Sequence, residues 1–251
     1  SNSYTDAIIN LTVPYDTDMR SDFADLRFTT SDGQTLTDFW IERQSASSEA
    51  EVWVAVPSLA ADATTRLFMY YGSSTAVSVS SSTALFSVID DFEDNNISEY
   101  SGDLSKFQTN TTLRYGGSYG LEAVNTADFS TGIARTDQTV NQGETIRSKL
   151  YIDAGVGDAD EQCMLFAVQS TSNINDNYGV CVAQFGTERV ELVRDVVRND
   201  SFGGAVSLAS ANYNFTTSGW YEIEVDWDTD DSMFVRVYDP SDTLVATTSA
   251  T

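Results

Sequence analysis

Residues 219–239, GWYEIEVDWDTDDSMFVRVYD, decide the fold. Ile223, Val225 and Trp227 alternate with Glu222, Glu224, Asp226 and Asp228, the period of two of a strand with one buried face. With Thr229, Asp230 and Asp231 as a loop, Asp228 opposes Ser232 and Glu224 opposes Arg236. Ile223, Val225 and Trp227 then share the core side with Val237, Val235 and Met233, and the four carboxylates share the outer side with Phe234, Arg236 and Tyr238. A slip of one residue would drive all four carboxylates into the core, so the register is strongly specified.

The same period runs outward in both directions. Ala7, Ile9, Leu11 and Val13 predict a first strand, Leu26 and Phe28 a second, Val52, Val54 and Val56 a third, and Leu67, Met69 and Tyr71 a fourth. Further alternating stretches are ETIRSKLYID (144–153), QCMLFAVQS (162–170), YGVCVAQF (178–185) and RVELVRDV (189–196). Short strands at roughly ten-residue intervals without a helical stretch predict β-sandwiches. Residues 72–88, GSSTAVSVSSSTALFSV, have the composition of a linker or a weak edge strand. The expectation is an all-β chain of two tandem sandwiches, a small Ig-like one over 1–85 and a larger one over 86–251.

The chain has 251 residues, 38 acidic against 13 basic, a formal charge of -25 and no histidine. Without imidazole there is no Ser-His-Asp triad, no Cys-His dyad and no histidine-ligated metal. Phosphate backbones need lysine and arginine to displace counterions, so nucleic acid is excluded as a partner. No run of about eighteen apolar residues is present, so no membrane-spanning helix is expected. The first residues do not read as a signal peptide, and Ser1 reads as a processed or cut terminus. Only Lys106 and Lys149 are lysines. Low lysine with abundant aspartate suggests a halophilic setting, where a screening length near 3 Å at molar salt removes the self-repulsion; an ordinary acidic extracellular module is the alternative.

Cys163 and Cys181 are the only cysteines, and a hairpin loop over 170–177 can bring them opposite each other, which favours a disulfide over two buried thiols. Sequons at Asn10, Asn96, Asn110, Asn199 and Asn214 lean the same way, towards the cell exterior or a virion surface.

DMRSDFADLRFTTSDGQTL (18–36), VWVAVPSL (52–59) and LFMYYGSSTAVS (67–78) resemble an extracellular β-domain family, domain of unknown function 2341, through D-F-x-D-L-R-F, V-W-V-x-V-P and M-Y-Y-G. DDFEDNNISEY, SGWYEIEVDWD and VRVYDPSDTLVA are similar to laminin-G or concanavalin-A-like jelly rolls. The two resemblances imply a modular surface, adhesive or fibre protein with no established activity. A strand expected before YTDAIINLTVPYD and a glycine-rich closing strand after LVATTSAT are not visible. Either the chain is the interior of a longer polypeptide, or a neighbouring subunit supplies strands to an open edge.

Three constellations could carry chemistry. Glu222, Glu224 and Asp226 have the alternate spacing of jelly-roll glycosidase carboxylates, although their order differs, Arg236 opposes Glu224, and a solvated acidic face is the simpler reading. Asp91, Glu93 and Asp226 are candidate ligands for a structural Ca2+, since the resemblance implies an ion near the acidic segment 90–94. Asp153, Asp158, Asp160 and Glu161 form a weaker acidic loop. Glycan recognition would use aromatics flanked by amides and carboxylates, as at Asn175, Asp176, Asn177 and Tyr178, and at Tyr115 with Tyr119. Trp40, Trp53, Trp220 and Trp227 read as core or strand-packing residues. The expected function is non-catalytic: adhesion, glycan binding, or assembly of a filament or virion with neighbouring copies. A carbohydrate-active enzyme and a structural spacer are the alternatives.

Overall fold

A computed structural model describes residues 3–124, 131–135, 137–154, 161–169, 176–184, 186–196 and 205–251. Among these, the regular structure is extended apart from two single 3-10 turns, Ser82–Ala84 and Leu104–Lys106, and no helix is long and apolar enough to cross a membrane. Contacts divide the chain into two compact units, Ser1–Glu93 with Gly116–Tyr119, and Asp94–Tyr115 with Gly120–Thr251.

The first unit holds β1 (Tyr4–Pro14), β2 (Arg27–Thr29), β3 (Leu36–Thr37), β4 (Phe39–Ser45), β5 (Glu49–Leu59) and β6 (Phe68–Tyr70). They form two antiparallel sheets, β1-β5-β4 and β3-β2-β6. Ile9, Leu11 and Val13 oppose Val54, Val52 and Ala50, and these inward rows meet Phe23, Leu26, Phe28 and Phe39 in the core. β4 escaped the periodicity reading because a register shift between Ile41 and Arg43 breaks its alternation.

Residues 72–88 pack onto this unit as a strap. Ser81 N–H donates to the Phe39 carbonyl at 3.0 Å, and Ile41 N–H donates to Ser80 Oγ at 2.8 Å. Phe86 stands edge-on to Trp40 and Trp53, each at 5.8 Å, and so covers the outer face of β5. The first unit accordingly extends to Glu93.

The D-F-x-D-L-R-F stretch is a latch. Asp25 is 3% exposed; its two oxygens accept the N–H of Arg20 at 3.0 Å and of Gly72 at 2.7 Å. Arg27 donates to the carbonyls of Leu26, Ala24 and Val77. Arg20 grips Asp22 with two nitrogens and the Ser74 carbonyl with the third. Phe23 is fully buried with φ 52°, a left-handed backbone that costs about 1–3 kcal/mol unless its surroundings enforce it. Gly72, at φ 100°, supplies the turn that brings its N–H to Asp25.

The second unit holds β7 (Ser101–Gly102), β8 (Phe107–Asn110), β9 (Gly120–Ala123), β10 (Ile133–Ala134), β11 (Glu144–Ile152), β12 (Glu161–Phe166), β13 (Tyr178–Ala183), β14 (Arg189–Arg194), β15 (Val206–Asn212), β16 (Gly219–Trp227), β17 (Met233–Tyr238) and β18 (Leu244–Ala250). Two four-stranded antiparallel sheets dominate, β11-β16-β17-β18 and the meander β12-β13-β14-β15. Val180, Val182, Val190 and Leu192 of one sheet share a core with Tyr221, Ile223, Val225, Val235 and Val237 of the other. The β16–β17 hairpin has the expected register, Glu224 opposite Arg236 and Trp227 opposite Met233, closed by Asp228 N–H to the Ser232 carbonyl at 2.8 Å. Cys163 and Cys181 are cross-strand neighbours on β12 and β13 and form a disulfide.

Asp25→Ala leaves two backbone donors without their acceptor, at a cost of about 2–4 kcal/mol. We expect a lower urea midpoint by tryptophan fluorescence, with Asp25→Asn, which keeps one acceptor, losing less; an unchanged midpoint would refute the latch.

Candidate functional site

The segment leaving β12, the entry to β13, the exit of β14 and the end of β16 surround a pocket of about 270 Å³. Its lining includes Gln169, Asp176, Tyr178, Arg194, Asp195 and Trp227. Ala167, Asp176 and Asp195 all have positive φ there, 52°, 52° and 58°. Aspartate tolerates that region, whereas alanine does so only when held. Asn177 holds the Asp195 side: it is buried, its carbonyl accepts Asp195 N–H at 2.9 Å, and its side chain exchanges two hydrogen bonds with the Val196 backbone. Gln169 N–H donates to the Asp176 carbonyl at 3.2 Å and closes the other side.

The pocket wall is aromatic. Tyr178 stacks on Phe166 at 6.0 Å, and Trp227 meets both rings at 5.9 Å. The indole Nε1 of Trp227 is buried and has no hydrogen-bond partner among the described residues. A buried donor left that way costs about 1–3 kcal/mol. At the rim, Arg194 pairs with Asp195 at 3.0 Å, both sides about half exposed. An aromatic wall for a ring face and rim charges for hydroxyls together suit a single pyranose-sized polar ring.

Of the residues expected at a glycan site, Asp176, Asn177 and Tyr178 come together here, with Asn177 acting as the staple. Asn175 lies outside the described residues. Tyr115 goes elsewhere in the second unit, over the Lys149 ammonium at 4.3 Å and edge-on to Trp220 at 6.0 Å. Trp227, Arg194 and Asp195 were missed as site residues. The available signal was that Trp227 is the last inward residue before a hairpin loop, where a core position meets the rim.

The acidic face of β16 is not the open, solvated one expected from the hairpin alone. β11 flanks β16 on its other side and sets Lys149 opposite Glu222 and Arg147 opposite Glu224. Glu224 is only 7% exposed, held by Arg147 at 2.5 Å and Arg236 at 2.6 Å. Glu222 meets Lys149 at 2.7 Å. Asp226 accepts from Arg236 at 2.6 Å and Thr145 at 2.7 Å. Burial pushes the Asp226 carboxyl up, but these hydrogen bonds outweigh it and hold the group below the usual range. A metal or a substrate at Asp226 would have to displace a guanidinium.

Asp91 and Glu93 belong to the first unit and Asp226 to the second. Asp91 accepts Glu93 N–H at 3.2 Å, and Glu93 Oε1 accepts the N–H groups of Ser118 at 2.7 Å and Tyr119 at 2.9 Å. Among the described residues, the ligand-type side chains that converge in a set of three are Glu161, Cys163 and Cys181. The two sulfurs are bonded to each other there and offer no thiolate. Asp158 and Asp160 of the acidic loop lie outside the described residues.

The sequons differ in access. Asn10, Asn96 and Asn214 are exposed. Asn110 is half-buried, with its side-chain amide donating to Glu122 at 2.6 Å. Asn199 lies outside the described residues.

Residues 22–109 match the family described as Domain of unknown function (DUF2341), a span that contains Asp25, Arg27 and Gly72 of the latch. None of the curated proteins and none of the solved structures compared matches the chain.

Burial raises the Glu161 carboxyl to about 7, with Glu191 pushing the same way and Arg189 opposing. Between the ordinary 4.5 and about 7 the folded chain keeps a proton the unfolded chain has released, so stability is lost as pH rises through that window. Glu161→Gln removes the penalty: we expect it to melt above the parent at pH 8 and level with it near pH 4, and a constant difference across that range refutes the assignment.

Proposed function

We propose that the chain is a non-catalytic, extracellular surface or fibre protein that attaches to glycans through the pocket of its second unit. The observation that carries this reading is the Tyr178–Trp227 aromatic wall with Arg194 and Asp195 at its rim, on a backbone left-handed at three lining residues. The disulfide and the exposed sequons favour an oxidising, secreted setting. The guanidinium and ammonium groups engaging Glu222, Glu224 and Asp226 argue against glycosidase chemistry on that strand. The charge of -25 and the two lysines favour a saline habitat, and the second unit is in our reading a concanavalin-A-like sandwich.

A glycan array read in molar salt tests the reading. We expect binding to a limited set of glycans, weakened at least tenfold by Trp227→Phe and by Arg194→Ala. Arg194 is exposed, so its variant should melt with the parent. A blank array, or variants that bind as the parent does, would overturn the proposal.

A further inference from the structure

We propose that the reduced chain binds Zn2+ through Cys163, Cys181 and Glu161, so that a metal ion staples β12 to β13 wherever the disulfide is open. Val180 and Val182 of β13 point into the core, so Gly179, Cys181 and Ala183 lie on the opposite face of that sheet. Cys163 opposes Cys181 there, and Glu161, two residues before Cys163, shares its face of β12. The two Sγ atoms and a Glu161 carboxylate oxygen all lie within 4.8 Å of one another. Glu161 stands opposite Ala183, whose small side chain leaves room for the carboxylate beside the sulfurs.

The state of that carboxylate is a second, independent observation. Glu161 is half-buried, yet among the described residues no hydrogen bond or ion pair holds it, while Arg189 on β14 grips Glu191 at 2.9 Å. A carboxylate drawn from water without a donor is costly, and a cation bound to it offsets that cost. The disulfide beside it brings no charge to do so.

The donor set selects the ion. A dithiol reductant opens the bridge by passing two electrons to the sulfur pair; it leaves as a cyclic disulfide, and its two protons end on the cysteines. Zn2+ then displaces those protons and takes two thiolates, the carboxylate and a water. Zn–S bonds of about 2.3 Å in a tetrahedron set the sulfurs about 3.8 Å apart. Cβ atoms of bridged cysteines are also about 3.8 Å apart, so parallel Cβ–S bonds give that spacing without moving the backbone. Thiolates favour this ion over Ca2+ or Mg2+, which take oxygen ligands. A chain in a reducing compartment meets zinc before it meets an oxidant, so ion and bridge serve the same pair of strands in turn.

The test uses the whole chain, reduced with a dithiol, freed of it without oxygen, and titrated with Cd2+ as a spectroscopic stand-in and with Zn2+ against a chromophoric chelator. We expect a thiolate-to-Cd2+ absorption that saturates at one ion per chain, and Zn2+ binding weaker by roughly tenfold or more in Glu161→Gln. The oxidised chain, which has only carboxylates to offer, should show no such absorption. The site shares no residue with the glycan pocket, so oxidised Glu161→Gln should bind glycans as the parent does, and failure here is distinct from failure of the pocket. No absorption in the reduced chain, equal Zn2+ affinity in Glu161→Gln, or a reduced chain that is unfolded with and without Zn2+ would overturn the proposal.

Discussion

Each unit is organised around a carboxylate that water scarcely reaches. Removing such a charge from water costs several kcal/mol, and the cost is recovered only if fixed donors surround it. Asp25 meets backbone N–H groups from two segments far apart in sequence, and Glu224 meets guanidinium groups from the two strands flanking its own. Both arrangements demand a particular register. Asp25 reaches Gly72 only if the β2–β6 pairing is right, and Glu224 is satisfied only if β11, β16 and β17 align as they do. The carboxylates thus act as register pins against a two-residue slide, which would keep the apolar rows facing the core.

The scarcity of basic residues follows the same logic. Thirteen arginines and lysines serve 38 acids, and many of the thirteen hold internal structure. Arg20 and Arg27 bind carbonyls of the strap and latch, while Arg147, Lys149 and Arg236 balance the three acids of β16. The excess acid is left on the remaining surface, where salt screens it. The excess charge and the carboxylate ladder are therefore separate matters: the ladder is neutralised, and the surplus lies elsewhere.

Strand existence and the hairpin register were legible in the sequence because each depends on local alternation. What failed depended on partners distant in the chain. The face of β16 read as solvated because a hairpin reveals one neighbour, Arg236, and is silent about β11 on the far side. β4 was invisible because a shift interrupts its period, and 72–88 read as a linker because serine-rich composition does not report the carbonyls that two arginines grip. The pocket was half legible: Asp176 and Tyr178 sit in a recognisable loop, whereas Arg194 and Trp227 arrive from the ends of other strands.

The chain leaves the first unit after Glu93, comes back for Gly116–Tyr119 and departs again. Those four residues supply the two N–H groups that Glu93 accepts, and Gly117, at φ 56°, lies against that carboxylate. The first unit is consequently discontinuous in sequence, and cutting the gene at one point would not free it. A recombination or a protease cut between Glu93 and Asp94 would separate Glu93 from its amides along the backbone, so the smallest heritable block containing an intact first unit extends into the sequence of the second.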